Sequence, residues 1–243
     1  MGAALARRSG GSAGVDRRCG LGGGLLRRCG RRGAVGCVDV GRPEGERFLV
    51  VGANGSGENT LLRLVGTALT ATQGELRLFG LDPHRDLFRI RAELGVLSHA
   101  SGLYDDLSAS ENLGILASLM GVEDESARWL ARVGLAERPD PVRTYSAGLR
   151  KRLSLAGLLA QKPKLVLLDE PYGQLDPEGF ELVDGIIRQF SEEGATVLVA
   201  SHLVGRAALH CRSAMLLHEG QPRWIGPASS VIQAWGVLHG RVS

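Results

Sequence analysis

Two neighbouring carboxylates, Asp169 and Glu170, directly follow the apolar run Leu165-Val166-Leu167-Leu168. A short continuous apolar run is the pattern of a strand buried on both faces of a parallel sheet. The carboxyl ends of such strands are where open α/β sheets hold ligands. An aspartate there suits a hard cation such as magnesium, and a glutamate suits a base that orients or deprotonates a water. A second constellation is Gly52-Ala53-Asn54-Gly55-Ser56-Gly57-Glu58-Asn59-Thr60, set between the strand-like Arg47–Val51 and the helical Leu61–Val65. Strand, glycine loop and helix in that order form the context of a phosphate-binding loop. Its glycines let backbone N–H groups wrap an anion, and the helix adds its positive end. A third stretch, Tyr145-Ser146-Ala147-Gly148, is a small polar turn opening a helix whose first N–H groups can also face an anion. An Asp-Glu pair after a strand is a common accident by itself. With Ser146–Gly148 upstream and Asp176 and Ser201-His202 downstream, accident is a poor account.

In this order and at this spacing the motifs resemble the ATP-binding subunit of ABC transporters, over roughly residues 37–230. Ser146-Ala147-Gly148 matches the signature motif, Asp169 the Walker B aspartate, Glu170 the catalytic glutamate, Leu175-Asp176 the D-loop and His202 the switch histidine. His99 stands where many ABC proteins have the glutamine that senses magnesium and the attacking water. The resemblance implies an α/β P-loop NTPase fold: a mostly parallel sheet, a small helical subdomain and antiparallel β elements. It implies ATP and magnesium as cofactors. Nucleotide contacts would come from Gly52, Asn54, Gly55, Ser56, Gly57, Glu58, Asn59 and Thr60, and from Ser146, Gly148 and Asp176. Glu170, His202 and His99 would serve catalysis, and Asp169, Asn59 and His99 the metal. The implied partners are a transmembrane permease subunit and a second ABC ATPase subunit, in a homo- or heterodimer at the inner face of the cell membrane. No nucleic-acid partner is expected. The stretches Ser98–Leu107, Glu111–Leu113 and Asp169–Asp176 look most like the haem-exporter ATPases of cytochrome c maturation, though drug and polysaccharide exporters share much of them.

One departure bears on activity. The phosphate-loop pattern calls for Lys at 58 and Ser or Thr at 59, and this chain has Glu58 and Asn59. The lysine would contact the terminal phosphates and the hydroxyl would hold magnesium. A unit charge pair at 4 Å is worth roughly 4 kcal/mol at an effective dielectric near 20. Losing an attraction and adding a repulsion predicts weak ATP binding and slow or absent hydrolysis. The chain is then either an exporter ATPase or an impaired half whose signature motif completes a partner's site. A DNA-repair or translation ATPase of this family would need a coiled-coil insertion or a tandem domain, and 243 residues leave no room for either.

The rest of the chain supplies the frame. A formal net charge of +3 does not mark the whole chain as a polyanion binder. No apolar run approaches the about 18 residues that span a bilayer. The four cysteines, at 19, 29, 37 and 211, fit neither a zinc spacing nor a disulfide framework, so a reducing cytoplasm is the default. Residues 1–45 hold 13 Gly and nine Arg with no periodicity. We read them as an atypical, poorly ordered segment, degenerate or translated out of the ancestral frame, before an ABC ATPase domain at 46–243. Strands are expected at Glu75–Phe79, Gly95–Leu97 and Ala195–Ala200, with a closing hairpin at Ala214–Leu217 and Arg223–Ile225. Helices are expected at Asp86–Leu94, Asn112–Met120 behind a Ser108/Glu111 capping box, Glu123–Val133, from Ser146, from Asp176-Pro177 to about Phe190, and at Ser229–Trp235. The helices within about 98–160 are expected to form the helical subdomain. Arg150, Lys151 and Arg152 read as a solvated face or salt-bridge partners.

Overall fold

The computed structural model describes residues 45–72, 75–98 and 102–238, together with the backbone of Leu26–Arg27. The reading of residues 1–45 therefore falls almost wholly outside the described residues, as does His99. In chain order the elements are β1 Leu26–Arg27, β2 Arg47–Gly52, α1 Glu58–Val65, β3 Glu75–Leu76, α2 Pro83–Ala92, β4 Leu94–Leu97, α3 Ala109–Met120, α4 Ser126–Arg132 and α5 Ala147–Gln161. Then follow β5 Leu165–Asp169, α6 Pro177–Glu192, β6 Thr196–Ala200, α7 Val204–His210, β7 Ser213–His218, β8 Gln221–Pro227 and α8 Val231–Leu238.

The main sheet has the order β4-β5-β6-β2-β7-β8. Every neighbouring pair is parallel except β7 and β8, the closing hairpin. β1 and β3 form a separate antiparallel pair. This is the mixed, mostly parallel α/β sheet that the resemblance implied. Its strands are apolar on both faces because both faces are covered. Leu49, Val166, Leu168, Val197 and Val199 pack with Val183, Ile186, Ile187 and Phe190 of α6. Phe48, Val50, Leu165, Leu167 and Leu198 pack with Leu61, Leu62 and Val65 of α1 and Ile90 of α2.

Helix ends follow local chemistry. Ser108 and Glu111 make the expected capping box, Glu111 N–H donating to Ser108 Oγ at 3.2 Å and Ser108 N–H to Glu111 Oε2 at 2.8 Å. Asp176 caps α6 by accepting from the Gly179 N–H at 2.7 Å, with Pro177 at the first helical position. The same Asp-Pro device starts α2 three residues before its expected start, since Asp82 accepts from the His84 N–H at 2.9 Å. Asp86 then sits at a kink with φ −116°. β3 is shorter than expected, because the chain turns at Phe79 (φ +55°) and Gly80 and pairs Leu78 with Leu81. α4 is also shorter, starting after Asp124 accepts from the Ser126 N–H at 2.9 Å. α7 carries no sequence signal: its N-cap is Leu203, with no side-chain bond.

Candidate nucleotide site

The sheet register assembles the site. Val50 of β2, Ala200 of β6 and Asp169 of β5 stand in line across three adjacent parallel strands. All three strands therefore end at one edge, and the phosphate-loop sequence, the acid pair and Ser201-His202 emerge together. An open cleft of about 390 Å³ is lined there by Asn54, Gly55, Gly57, Glu58, Asn59, Thr60, Asp169, Glu170, Ala200 and His202. That size is within the range of small-molecule clefts.

The loop is held by its own backbone. Ser56 N–H donates to Ala53 O at 2.8 Å, and Gly220 N–H, at the tip of the β7–β8 hairpin, donates to Ser56 O at 2.7 Å. Gly57 takes φ +107°, a conformation open to glycine but strained for a residue with a side chain, and so turns the chain into α1. No side chain caps α1, which leaves its first amides open to an anion. Gly52 and Ser56 are buried at the base of the loop and do not line the cleft.

Glu170 is held at its N–H, its carbonyl and its carboxylate. Its backbone is left-handed, φ +46°, which is uncommon for a non-glycine residue. Its N–H donates to Ala200 O at 2.9 Å. Its carbonyl accepts from the Gly173 N–H at 3.2 Å and from Lys151 Nζ at 2.6 Å. Its Oε1 accepts from the His202 N–H at 2.8 Å and lies 3.6 Å from His202 Nε2. Lys151 is half-buried, and that burial pulls its ammonium below the ordinary lysine value, opposed by the Glu170 and Asp169 carboxylates. The expectation of a solvated or salt-bridged basic run therefore holds for two of its three members only. Arg150 pairs with Asp105 at 2.7 Å and Arg152 with Asp176 at 3.2 Å, whereas Lys151 reaches a backbone carbonyl inside the site. No periodicity or motif distinguished Lys151 from its neighbours.

Ser146, Gly148 and Asp176 do not line the cleft. Ser146 caps α5, accepting from the Leu149 N–H at 3.3 Å. Gly148 packs so closely on the D-loop segment that a Cβ there would lie 2.9 Å from Gln174 O.

The uncapped amides at the start of α1 suit an anion, but one side chain does not. Burial raises the Glu58 carboxyl from 4.5 to about 7, opposed by a hydrogen bond to the Gly52 backbone and reinforced by the Glu170 and Asp169 carboxylates. Three carboxylates thus face a cleft built for an anion. For a divalent ion, Asp169 and the Asn59 amide are oxygen donors of the type that magnesium takes. Among the described residues no group of three or more His, Cys, Asp or Glu is arranged to hold a metal without further ligands.

A glycine loop between strand and helix, with an acid pair at the end of a nearby parallel strand, defines a P-loop nucleoside triphosphatase fold. The family model described as ABC transporter matches residues 37–173. A cytochrome c biogenesis ATP-binding export protein from Xanthomonas campestris is 44% identical over 162 residues, which is 65% of this chain and 74% of the relative. A lantibiotic transport ATP-binding protein from Streptococcus pyogenes is 32% identical over 170 residues, 69% of this chain and 72% of the relative. The dimeric ATP-binding cassette MJ0796, solved with ADP and phosphate, superposes with a TM-score of 0.74 at 23% identity, covering 84% of this chain and 96% of that one. The chain belongs to the ABC transporter family and carries its ATP-binding domain. Members of this family bind ATP, normally with magnesium, and hydrolyse it. In transporters their ATP-binding subunits dimerise and work with membrane permease subunits.

Proposed function

We propose that this chain is the ATP-binding subunit of an ABC exporter, and that its own nucleotide site is impaired. The observation that carries the second half is Glu58, whose carboxylate faces Asp169 and Glu170 across the phosphate cleft. Asp169 and Asn59 would hold magnesium, a role in which the family resemblance also includes His99. Glu170 would act as the base and His202 would contact the terminal phosphate. The likeness to cytochrome c biogenesis export proteins favours haem as cargo. The lantibiotic and bacitracin relatives keep peptide export as the competing cargo class.

The helices of residues 98–160 serve as the helical subdomain that meets the permease. An apolar groove of about 270 Å³ between α3 and α5, lined by Tyr104, Leu113, Leu116, Leu119 and Leu158 among others, is suited to an amphipathic segment of that partner. No helix among the described residues is long and apolar enough to cross a membrane, so attachment to the inner face of the membrane would run through the permease.

Ser146 and Gly148 lie away from the cleft, on the outer start of α5, so a second ATPase subunit with an intact phosphate loop would receive them. In that arrangement this chain completes the partner's site while its own stays idle. The test is equilibrium binding of a fluorescent ATP analogue with magnesium. The natural chain binds weakly, and Glu58→Lys with Asn59→Ser tightens binding by at least about a hundredfold, the ratio equivalent to roughly 3 kcal/mol of recovered attraction. Micromolar affinity in the natural chain would overturn the impairment. Copurification with a different ATPase subunit distinguishes the heterodimer from a homodimer with two damaged sites.

A further inference from the structure

We propose that Lys151 is a positioning residue for Glu170: its ammonium, reaching across from α5, holds the Glu170 carbonyl and so keeps the carboxylate aimed at the His202 amide. The role of Glu170 as a base rests on the ATPase reading above, but the positioning itself does not.

The segment from Glu170 to Asp176 joins β5 to α6, and it contains two non-glycine residues in left-handed conformations, Glu170 (φ +46°) and Gln174 (φ +67°). Such residues persist only where their surroundings over-determine them. Consecutive residues of α5 bracket this segment. Lys151 Nζ donates to Glu170 O at 2.6 Å, and Arg152 Nη2 donates to Asp176 Oδ1 at 3.2 Å. Arg152 is itself tied to the Val133 carbonyl at 3.0 Å, which anchors the bracket to the turn after α4. At the Glu170 end, the N–H bond to Ala200 fixes the residue to the sheet, and the Gly173 N–H closes a local turn. Among the described residues, the Lys151 bond is the one that holds the Glu170 carbonyl from another element. With the N–H already held by Ala200, pinning that oxygen restrains φ as well as ψ of Glu170, and φ sets the direction in which Cβ leaves, hence the 2.8 Å contact of Oε1 with the His202 N–H. An ammonium donating to a carbonyl is a charge-assisted bond and stronger than a neutral one. Burial disfavours that charge, and the Glu170 and Asp169 carboxylates partly offset the burial.

Lys151 lies on the second turn of the helix that begins at Ser146. A shift of the start of α5 would therefore reach Glu170 through this bond. The chain's own base would then respond to what the signature end of the same helix touches.

The His202 amide is the reporter, because its protection depends on the Glu170 carboxylate. Backbone amide exchange is measured by NMR on the full natural chain, on Lys151→Met, which keeps the stem and removes the donor, and on Lys151→Arg, which restores one. Lys151→Met is expected to speed His202 exchange by about tenfold. The amides of Val166 and Leu198, within the sheet, should change by less than about twofold, and Lys151→Arg should return His202 to within about threefold of the natural rate. Unchanged His202 exchange in Lys151→Met overturns the proposal. So does equal acceleration in the sheet, which marks general destabilisation, and so does failure of Lys151→Arg to restore protection. If Lys151→Met does not fold, Lys151→Leu, which also lacks a donor, is read by the same criteria. In a second arm the substitutions are placed in the Glu58→Lys, Asn59→Ser chain. Lys151→Met should lower kcat by about tenfold with KM within about twofold, and a rise in KM without loss of kcat counts against positioning. If that chain hydrolyses no ATP, the ATPase reading fails, and the exchange comparison still decides the role of Lys151.

Discussion

Replacing Glu58 by Gln removes a charge that the folded chain holds at a cost, and the cost has a definite pH dependence. The carboxyl moves from an ordinary 4.5 to about 7 on folding, chiefly through burial. A shift of about 2.5 units at 1.36 kcal/mol per unit sets a ceiling near 3.4 kcal/mol. The side chain is only part-buried, so solvent screening reduces this to about 1–2 kcal/mol. A folded-state value above the unfolded one means that the native chain binds the proton more tightly. The penalty is absent well below pH 4.5, grows between about 4.5 and 7, and is complete above 7. Near pH 5 only about a quarter of it has developed. Urea unfolding followed by tryptophan fluorescence at pH 5, 6, 7 and 8 reads it directly. Glu58→Gln should be more stable than the natural chain by about 1–2 kcal/mol at pH 8. That raises the urea midpoint by several tenths of a molar at an m-value of about 2–3 kcal/mol/M. The advantage should shrink to a few tenths of a kcal/mol at pH 5. A difference independent of pH, or a natural chain at least as stable as the variant at pH 8, would refute the picture of a charge forced into an acidic cleft.

Other outcomes follow from contacts of the same kind. Asp184, buried on α6, accepts from the Tyr172 hydroxyl at 2.8 Å and pairs with Arg206 and with His210; Asp184→Asn removes the charge on which these groups converge and should lower the Tm by a few degrees in thermal unfolding. Ser146→Ala removes the side-chain cap of α5 and should lower stability by about 0.5–1 kcal/mol by urea titration, with no effect on the fold by circular dichroism. Burial pushes the Cys211 thiol up to about 12, so peptide mapping after alkylation at pH 8 should find it unmodified in the folded chain and labelled once urea unfolds it.

Much of this site was legible before any coordinates. The glycine loop, the acid pair and Ser201-His202 announce themselves because each is a short polar motif at the end of an apolar run. The buried strand alternation, with Leu165 and Leu167 on one face and Val166 and Leu168 on the other, makes the sheet two-sided from sequence alone. Where the reading strayed, the cause was local. Asp82-Pro83 is the same helix start as Asp176-Pro177, but it opens a helix with one fully buried residue, Ile90, and so little apolar period to mark it. α7 buries only Ala207 and has no capping side chain, so nothing in its composition separates it from a loop.

Motif order and spacing, read along the chain, determined the family and picked out the glycine loop and its departure from the usual pattern at Glu58, because these depend on residue identity at neighbouring positions. Three things belong to the tertiary structure alone. Strand order 5-6-2 brings residues 52–60, 169–170 and 200–202 to one sheet edge. Packing of α5 against the β5–α6 connection selects Lys151, out of three adjacent basic residues, to bond the Glu170 carbonyl. Burial turns Glu58 from a surface carboxylate into one that titrates near neutrality. Each is a relation between residues distant in sequence, or between a charge and the water withheld from it, and such relations exist only once the chain has closed around its core.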